Sequence, residues 1–403
     1  MESWEKNLGV CWLATLIVSL GMSQMAPILP LYVEHLGVHG QADIARWSGI
    51  VFGLNFVSLA IFSPIWGRLS DQYGRRPMIL RASFSLAVIM TCMGFAQNVW
   101  QLAGLRLMQG TLSGFQSTVV TLVGTQTPTE RAGWALGVLF SAQVGGTLMG
   151  PLLGGVLSEF VGFRGNFFVI GILCFLAFIA SYRFIYEKKI DTTQPALDFH
   201  EVWSRLPHPR DTVCLLITTL LLQLALMAIQ PIITVYISHL SADAAHIALV
   251  SGAVFAASGL ASLLAAPKLG KISDRIGPHK VLLAALTAAG IIYIPQAFVS
   301  HAWELGILRF MLGMAVAGLL PSVNSLIKHS TPPAITGRAF GFNQSAQYVG
   351  MFLGSMLGGQ MAAAFGIQNV FLFTGGLLLA NAFWVYHTIY QHDELFRGTD
   401  EEK

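Results

Sequence analysis

The chain has 403 residues, of which 54% are hydrophobic and only 11% are charged, whereas soluble globular domains carry about 25% charged residues. This composition excludes an ordinary soluble domain and indicates a protein solvated by lipid. The net charge of +3 comes from cations in loops between apolar segments, so we expect no nucleic-acid partner. The four cysteines lie singly in apolar segments without paired spacing, so we predict neither a disulfide framework nor a metal site.

Apolar stretches of about 20 residues, the helix length that crosses about 30 Å of hydrocarbon, occur twelve times. We predict spans at 8–33, 46–66, 77–96, 100–124, 133–158, 165–186, 211–235, 247–267, 280–299, 303–328, 336–364 and 370–390. The fold class is therefore an all-α membrane protein with two six-helix bundles. They cover 1–187 and 211–392, with a cytoplasmic linker at 188–210 and a cytoplasmic tail at 393–403.

Lysine and arginine are distributed unevenly between the two sides of this arrangement. With both termini in the cytoplasm, eighteen of the twenty-three lie on the cytoplasmic side. Because cytoplasmic loops of membrane proteins are enriched in these residues, we predict this orientation.

The first predicted helix has no carboxylate near its middle, where it reads Gln24-Met25-Ala26-Pro27-Ile28. None of the twenty Asp and Glu residues falls near the middle of any span, so no buried proton carrier is evident. The candidates for a proton-binding carboxylate are therefore Glu34 at the outer end of this helix and Asp71 on the opposite side. The alternative for Glu34 is an ordinary solvated helix end.

The loop after the second helix reads GRLSDQYGRRPMIL at 67–80 and recurs as GKISDRIGPHKVLL at 270–283. The offset of 203 residues holds without a gap from Pro64 and Pro267 to Gly110 and Gly313. A match of this length in constant register predicts a duplicated membrane bundle.

The first copy of the loop carries residue types that suit a gate. Gly67 and Gly74 allow tight turns, and Asp71 can accept hydrogen bonds from free amides at a helix end. Arg75 and Arg76 can pair with Asp71 or with lipid phosphate. A weaker copy is formed by Gly270, Asp274, Arg275, Gly277 and Lys280. The alternative is that these cations only set the orientation and the glycines only turn the chain.

The fourth predicted helix carries Arg106 and Gln109. Arg106 lies six residues beyond Trp100, which places it about 9 Å deeper at about 1.5 Å per residue. A centrally placed arginine costs about 2.5 kcal/mol or more, so we expect Arg106 to face a cavity and bind substrate. The alternative is a brace to Gln109 or to a carbonyl. Its repeat mate Arg309 lacks the glutamine, and both roles stay open for it.

The fifth predicted helix contains GGTLMGPLLGG at 145–155. Gly146, Gly150 and Gly154 fall on one face, with Gly155 beside them, so a partner helix can approach closely. Pro151 removes a backbone donor and favours a bend, which suits a helix that rocks during transport. Packing alone also explains the glycines.

Neutral polar residues in the spans complete the candidate binding surface together with the two arginines. They are Gln24, Asn55, Gln109, Gln143, Gln230, Asn343, Gln344 and Tyr348. A cavity that is positive and otherwise neutral favours anions, so we expect acidic or amphipathic substrates.

These features together resemble the major facilitator superfamily. The repeated loop resembles its motif A, L-x-x-x-R-x-x-Q-G at 102–110 resembles motif B, and the 145–155 segment resembles motif C of its drug and proton antiporters. The resemblance implies a multidrug efflux transporter of the bacterial inner membrane, working by alternating access with a proton as coupling ion. It implies acidic toxic compounds such as fosfomycin and bile salts as substrates, and no cofactor. We expect small-molecule drugs and the lipid bilayer as partners, and a monomer.

Two other functions stay open. An uptake symporter or facilitator for an organic anion would use the same fold and the same arginines, although motif C argues against it. A receptor or scaffold that transports nothing would not need polar residues on many inner faces. An enzyme is not expected, because the chain shows no nucleophile motif, phosphate loop or metal-ligand cluster.

Overall fold

The computed structural model describes residues 3–187, 209–240, 246–332 and 335–390. These ranges form fifteen α-helices and end in a short π-helical turn at Tyr386–Tyr390. The helices are α1 Ser3–Ser23, α2 Met25–His35, α3 Gln41–Tyr73, α4 Arg75–Gly94, α5 Val99–Thr111, α6 Phe115–Gln126, α7 Thr129–Phe184, α8 Pro209–Ile229, α9 Ile233–Leu240, α10 Ile247–Ile276, α11 Pro278–Gln296, α12 Ala302–Val316, α13 Leu319–Ser330, α14 Thr336–Phe365 and α15 Ile367–Val385.

Each of the twelve predicted spans falls on helix, and the all-α fold class is confirmed. Four spans are broken into two helices each, namely α1 with α2, α5 with α6, α8 with α9, and α12 with α13. The fifth and sixth spans form the single stretch α7, in which Gly162 turns the chain with a φ of 72°. Within the described ranges, nine helical stretches are long and apolar enough to cross a membrane. The count of twelve spans and the orientation of the termini stay predictions.

Contacts divide the chain into two compact units. The first contains 1–194 and 230–256, and the second contains 195–229 and 257–403. The sequence places 230–256 in the second bundle, but this segment packs against α2 and α7 of the first unit. Thr234 donates a hydrogen bond to the carbonyl of Pro27 at 3.1 Å, and Gly252 lies against the carbonyl of Pro151. Most of the predicted linker lies outside the described residues, so its boundaries, like those of the tail, stay predictions.

Glycines of α7 set how closely the first unit packs. A β-carbon at Gly146 would lie 2.5 Å from the carbonyl oxygen of Leu16, and one at Gly150 would lie 2.7 Å from that of Leu20. At Gly154 it would lie 2.8 Å from Cβ of Gln24. Contacts this short exclude any side chain, so the backbones of α1 and α7 approach directly, as small residues permit in membrane helices.

The second unit repeats this arrangement between α8 and α14. Gly350, Gly354 and Gly358 on α14 lie against the carbonyl oxygens of Leu220, Leu224 and Ala228 on α8. The same type of helix pair thus holds each unit together, and in each the glycines fall four residues apart.

Candidate functional site

Arg106 lies on α5 and is buried, with 2% of its surface exposed. Its Nη1 donates to Oε1 of Gln109 at 2.6 Å, and its Nε lies 3.4 Å from the carbonyl oxygen of Val51 on α3. The ring of Phe52 covers the guanidinium at 5.5 Å. In this structure Arg106 therefore braces α5 against α3, which is the alternative that the sequence left open, and its contact with substrate stays a prediction.

The close approach of α3 and α5 comes from Gly110, one residue after Gln109. Gly110 lies against the carbonyl oxygen of Asn55, and a β-carbon there would lie 2.7 Å from Cβ of Ser58. At an offset of 203 residues, Gly313 lies against the carbonyl oxygen of Ser258 in the second unit. The sequence repeat is thus also a repeat of helix packing.

Arg309 lies on α12 and has a different environment from Arg106. It is 8% exposed, and its guanidinium lies 5.6 Å from the ring centroid of Tyr293 on α11 and 5.9 Å from that of Phe371 on α15. Among the described residues, neither its Nε nor its Nη2 has a hydrogen-bond partner. The two repeat-related arginines therefore differ in their partners: Arg106 is hydrogen-bonded to Gln109, whereas Arg309 lies against two aromatic rings.

A break between α5 and α6 is held by two residues that sequence reasoning did not select. Gly114 turns the chain there with a φ of 112°, which releases backbone carbonyls from the helical pattern. Trp66 Nε1 donates to the carbonyl of Thr111 at 2.6 Å, and Arg81 Nη2 donates to that of Ser113 at 2.7 Å. The Arg81 guanidinium also stacks on the Trp66 ring at 3.2 Å. An arginine inside an apolar span was the signal that could have found this clasp.

The repeated loop is a single sharp turn. Gly74 and its repeat mate Gly277 both have a φ of 95° and separate consecutive helices. The predicted turn at Gly67 is wrong, because Gly67 lies inside α3 with ordinary helical backbone. Its repeat mate Gly270 lies inside α10 in the same way. The helix continues over the first half of the loop, so only the second glycine has to turn.

Glu187, which was not predicted, occupies the start of α4. Its Oε1 and Oε2 accept the backbone N–H groups of Arg75 and Arg76, both at 2.8 Å. These amides have no partner within the helix, and a carboxylate there also interacts favourably with the positive end of the helix. Arg76 Nη2 donates to the carbonyl of Tyr182 at 2.9 Å. The side chain of Asp71 lies outside the described part, so its predicted pairing with these arginines stays a prediction.

Asn7 on α1 fixes the chain next to Glu187. Its Nδ2 donates to the carbonyl of Tyr186 at 2.6 Å, and its Oδ1 accepts the N–H of Tyr186 at 2.9 Å. Asn7 is only 3% exposed, and it also donates to Gln126 at 3.1 Å. Three segments distant in sequence therefore meet at this end of the first unit.

In the second copy of the repeated loop, at 270–283, the predicted charged residues Asp274, Arg275 and Lys280 are exposed.

A cavity of about 680 Å³ lies between α2, α3, α7 and the 230–256 segment of the first unit. It is lined by Glu34, His35 and Glu159 together with apolar side chains such as Phe163 and Ile247. Glu159 also lies 3.1 Å from Nδ1 of His246. The structure thus brings the predicted Glu34 beside a second carboxylate.

The neutral polar residues predicted to line a cavity are divided between the units. In the first unit, Gln24 and Asn55 are buried, and within the described ranges their side-chain amides have no hydrogen-bond partner. Gln143 accepts from Gln116 at 3.1 Å, and Gln230 is half-buried. In the second unit, Asn343 donates to Asn324 at 3.0 Å, Tyr348 is half-buried and Gln344 is exposed.

The end of the glycine segment contacts a different neighbour from its beginning. A β-carbon at Gly155 would lie 2.6 Å from the carbonyl oxygen of Ala248 on α10. Pro151, which is buried, lies against Gly252, also on α10. Two faces of α7 therefore carry close backbone contacts inside the first unit.

The chain was compared with protein families and with known proteins. The family model described as Major Facilitator Superfamily matches residues 11–250 and 215–402. Multidrug resistance protein MdtG of Salmonella typhimurium is 40% identical over 388 residues, which are 96% of each chain. The protein of that name from Proteus mirabilis is 40% identical over 381 residues, which are 94% of this chain and 95% of the relative.

A solved structure of a bacterial homologue of the human lysosomal transporter Spinster has the same fold. It superposes with a TM-score of 0.80 at 12% identity and covers 97% of this chain and 98% of its own. With these matches over almost the whole length, the resemblance inferred from the three motifs is confirmed, as is a multi-pass inner-membrane location. The chain belongs to the Major Facilitator Superfamily.

Proposed function

We propose that the protein is a secondary active multidrug exporter that works by alternating access and moves amphipathic or anionic toxic compounds. The 40% identity to multidrug resistance proteins over nearly the full length supports export as the direction of transport. The same arginines would serve uptake of an organic anion, so direction is part of the test.

One observation carries the choice of substrate charge. Among the side chains that the structure describes, every buried charged residue is an arginine, namely Arg75, Arg106 and Arg309. Within the described part of the chain, no buried carboxylate accompanies Arg106 or Arg309. A buried cation of this kind attracts anions strongly, because the surrounding dielectric constant is low. Apolar side chains around these helices would accept the hydrophobic part of an amphipathic acid.

The test is export by an efflux-deficient strain that expresses the protein. We expect it to lower the accumulation of acidic compounds such as fosfomycin and deoxycholate, and Arg106→Ala to lose this activity about tenfold or more. Arg106→Lys keeps the charge without the guanidinium fork, and we expect partial activity. Arg46→Ala is the matched control, since Arg46 is exposed and pairs only with Asp43 within its own helix at 3.3 Å. Unchanged export by Arg106→Ala, or protection from cationic drugs alone, would contradict the proposal.

We further propose that a proton is the coupling ion and that Glu34 carries it. The support is the cavity of the first unit, where Glu34 is accompanied by Glu159 and His35. In liposomes with a pH-sensitive dye inside, Glu34→Gln should lose proton flux that depends on drug, whereas the exposed Asp43→Asn should keep it. Asp71→Asn, as a gate variant, should slow exchange without changing the ratio of protons to drug. Drug-dependent proton flux at the normal rate in Glu34→Gln would exclude Glu34 as the carrier.

A further inference from the structure

Arg309 is a buried cation whose hydrogen-bonding capacity is largely unused. It is 8% exposed, and its Nε and Nη2 have no hydrogen-bond partner within the described part of the chain. Tyr293 is fully buried and its hydroxyl interacts with the guanidinium. The distance and angles between the two groups do not reach those of a hydrogen bond, so this hydroxyl also lacks a partner within the described part of the chain. Buried polar groups in proteins are nearly always hydrogen-bonded, so donors left over at one point indicate a missing acceptor.

The repeat explains why Arg309 lacks an acceptor of its own. Arg106, its mate at an offset of 203, is satisfied by Oε1 of Gln109 and faces the carbonyl of Val51. The residue at the position of Gln109 in the second half is Leu312, which is 2% exposed and offers no polar atom. The second unit has therefore kept the arginine and lost the side chain that would neutralise its donors.

The aromatic rings near Arg309 do not supply this acceptor. Tyr293 and Phe371 lie 5.6 Å and 5.9 Å from the guanidinium carbon, and such rings interact with the face of the cation. The N–H groups point outward in the plane of the guanidinium, where only an oxygen or a halide can accept them. The rings therefore contact the face of the cation, while Nε and Nη2 have no acceptor among the residues that the structure describes.

We propose that Arg309 and Tyr293 form a binding site for a small anion inside the second unit. Its chemistry suits one singly charged group, either a carboxylate that takes two parallel guanidinium hydrogen bonds or a chloride ion. Arg309 follows the 65% exposed Trp303 by six residues, about 9 Å deeper along the helix at about 1.5 Å per residue. This depth below an interfacial tryptophan disfavours a lipid phosphate as the occupant. The carboxylate form rests on the proposed function, whereas the chloride form is independent of it.

The experiment is thermal unfolding of the purified full-length protein in nanodiscs of zwitterionic lipid at constant ionic strength. Chloride or acetate replaces a bulky sulfonate in the buffer, and we expect a saturable rise of the unfolding midpoint of about 3 °C. Leu312→Gln gives Arg309 the acceptor that Arg106 already has, so this variant should lose the anion effect although the arginine is retained. Arg309→Met should lose it as well, and Arg46→Met, at an exposed position, should keep it.

The mirror variant Gln109→Leu removes the acceptor from Arg106 and should add a second anion-dependent rise. A midpoint of the natural protein that ignores both anions would overturn the proposal, as would the same rise in Arg309→Met or in Leu312→Gln. A response to chloride without acetate assigns the site to a halide, and a response to acetate assigns it to a carboxylate. Because unfolding is measured without transport, failure of the export assay would leave this result intact.

Discussion

The carboxylate of Glu187 accepts the backbone N–H of Arg76 at 2.8 Å and so closes the first turn of α4. The two residues are 111 positions apart, and the bond joins the end of α7 to the loop that is repeated in the two halves. The loop at 67–80 is therefore anchored by a carboxylate from outside the loop, which does not depend on the loop's own charges.

Replacing Glu187 should weaken the first unit at this end. Glu187→Ala removes both acceptors from the start of α4, and we expect a loss of about 1–2 kcal/mol in the free energy of unfolding. Glu187→Gln keeps one carbonyl oxygen and should lose less. The measurement is the thermal midpoint in nanodiscs, with Asp43→Asn as the exposed control that changes stability by about 0.5 kcal/mol or less. Equal midpoints for Glu187→Ala and the control would show that the Glu187 carboxylate does not stabilise the start of α4.

The hydrogen bond between Arg106 and Gln109 leads to a prediction about how strongly the two side chains are coupled in the folded protein. Gln109→Leu leaves a buried guanidinium without its short hydrogen bond of 2.6 Å and should cost about 1–3 kcal/mol. Arg106→Leu combined with Gln109→Leu removes both partners and should be destabilised less than Gln109→Leu alone. The measurement is a double-mutant cycle on unfolding free energies, and additive effects would argue against a direct coupling.

Glycine packing predicts a contrast between positions on the same helix. Gly150→Val on α7 meets the carbonyl of Leu20, so it should separate α1 from α7 and reduce the yield of folded protein. Gly137 lies on α7 with open space around its Cα, so Gly137→Val should be tolerated. Size-exclusion profiles of the two variants in the same detergent provide the comparison. Similar profiles for both would contradict the packing explanation.

At the break between α5 and α6, Trp66 and Arg81 donate hydrogen bonds to the freed backbone carbonyls. Trp66→Phe keeps the ring but leaves the carbonyl of Thr111 without its donor, and we expect a loss of about 1–2 kcal/mol. Trp303→Phe, at a 65% exposed position, should be nearly neutral. Unfolding midpoints of the two variants test this, and a neutral Trp66→Phe would mean that water or another group satisfies the carbonyl.

Much of the fold could be predicted, because each membrane-spanning helix can be recognised from the composition of its own segment. Every span predicted from the length of an apolar stretch falls on helix in the structure. The repeated loop predicted the duplication, which is seen again in the matching packing of Gly110 and Gly313. The breaks at Gly114 and at Gln24 were missed, because an apolar run of sufficient length does not reveal where carbonyls leave the helical pattern.

The candidate site was predictable in its residue types and less so in its contacts. Arg106 and Arg309 stood out by charge in apolar surroundings, but their different partners depend on which helices lie opposite. Glu187 and Trp66 bind backbone groups far away in the chain, so no local pattern marks them. Arg81 does stand out as an arginine inside an apolar span, but its partner, the carbonyl of Ser113, follows only from the packing.

By itself, then, the sequence determined the environment of the chain, its helices, its duplication and its family, because each follows from composition or from a pattern within one segment. Only the tertiary structure decided that Arg106 is hydrogen-bonded to Gln109 while Nε and Nη2 of Arg309 have no acceptor among the described residues. It also decided that Glu187 holds the turn after Gly74 and that Glu34 shares a cavity with Glu159. The physical reason is that hydrogen bonds and close backbone contacts need an orientation and a distance, and between segments far apart in the chain these are set by helix packing alone.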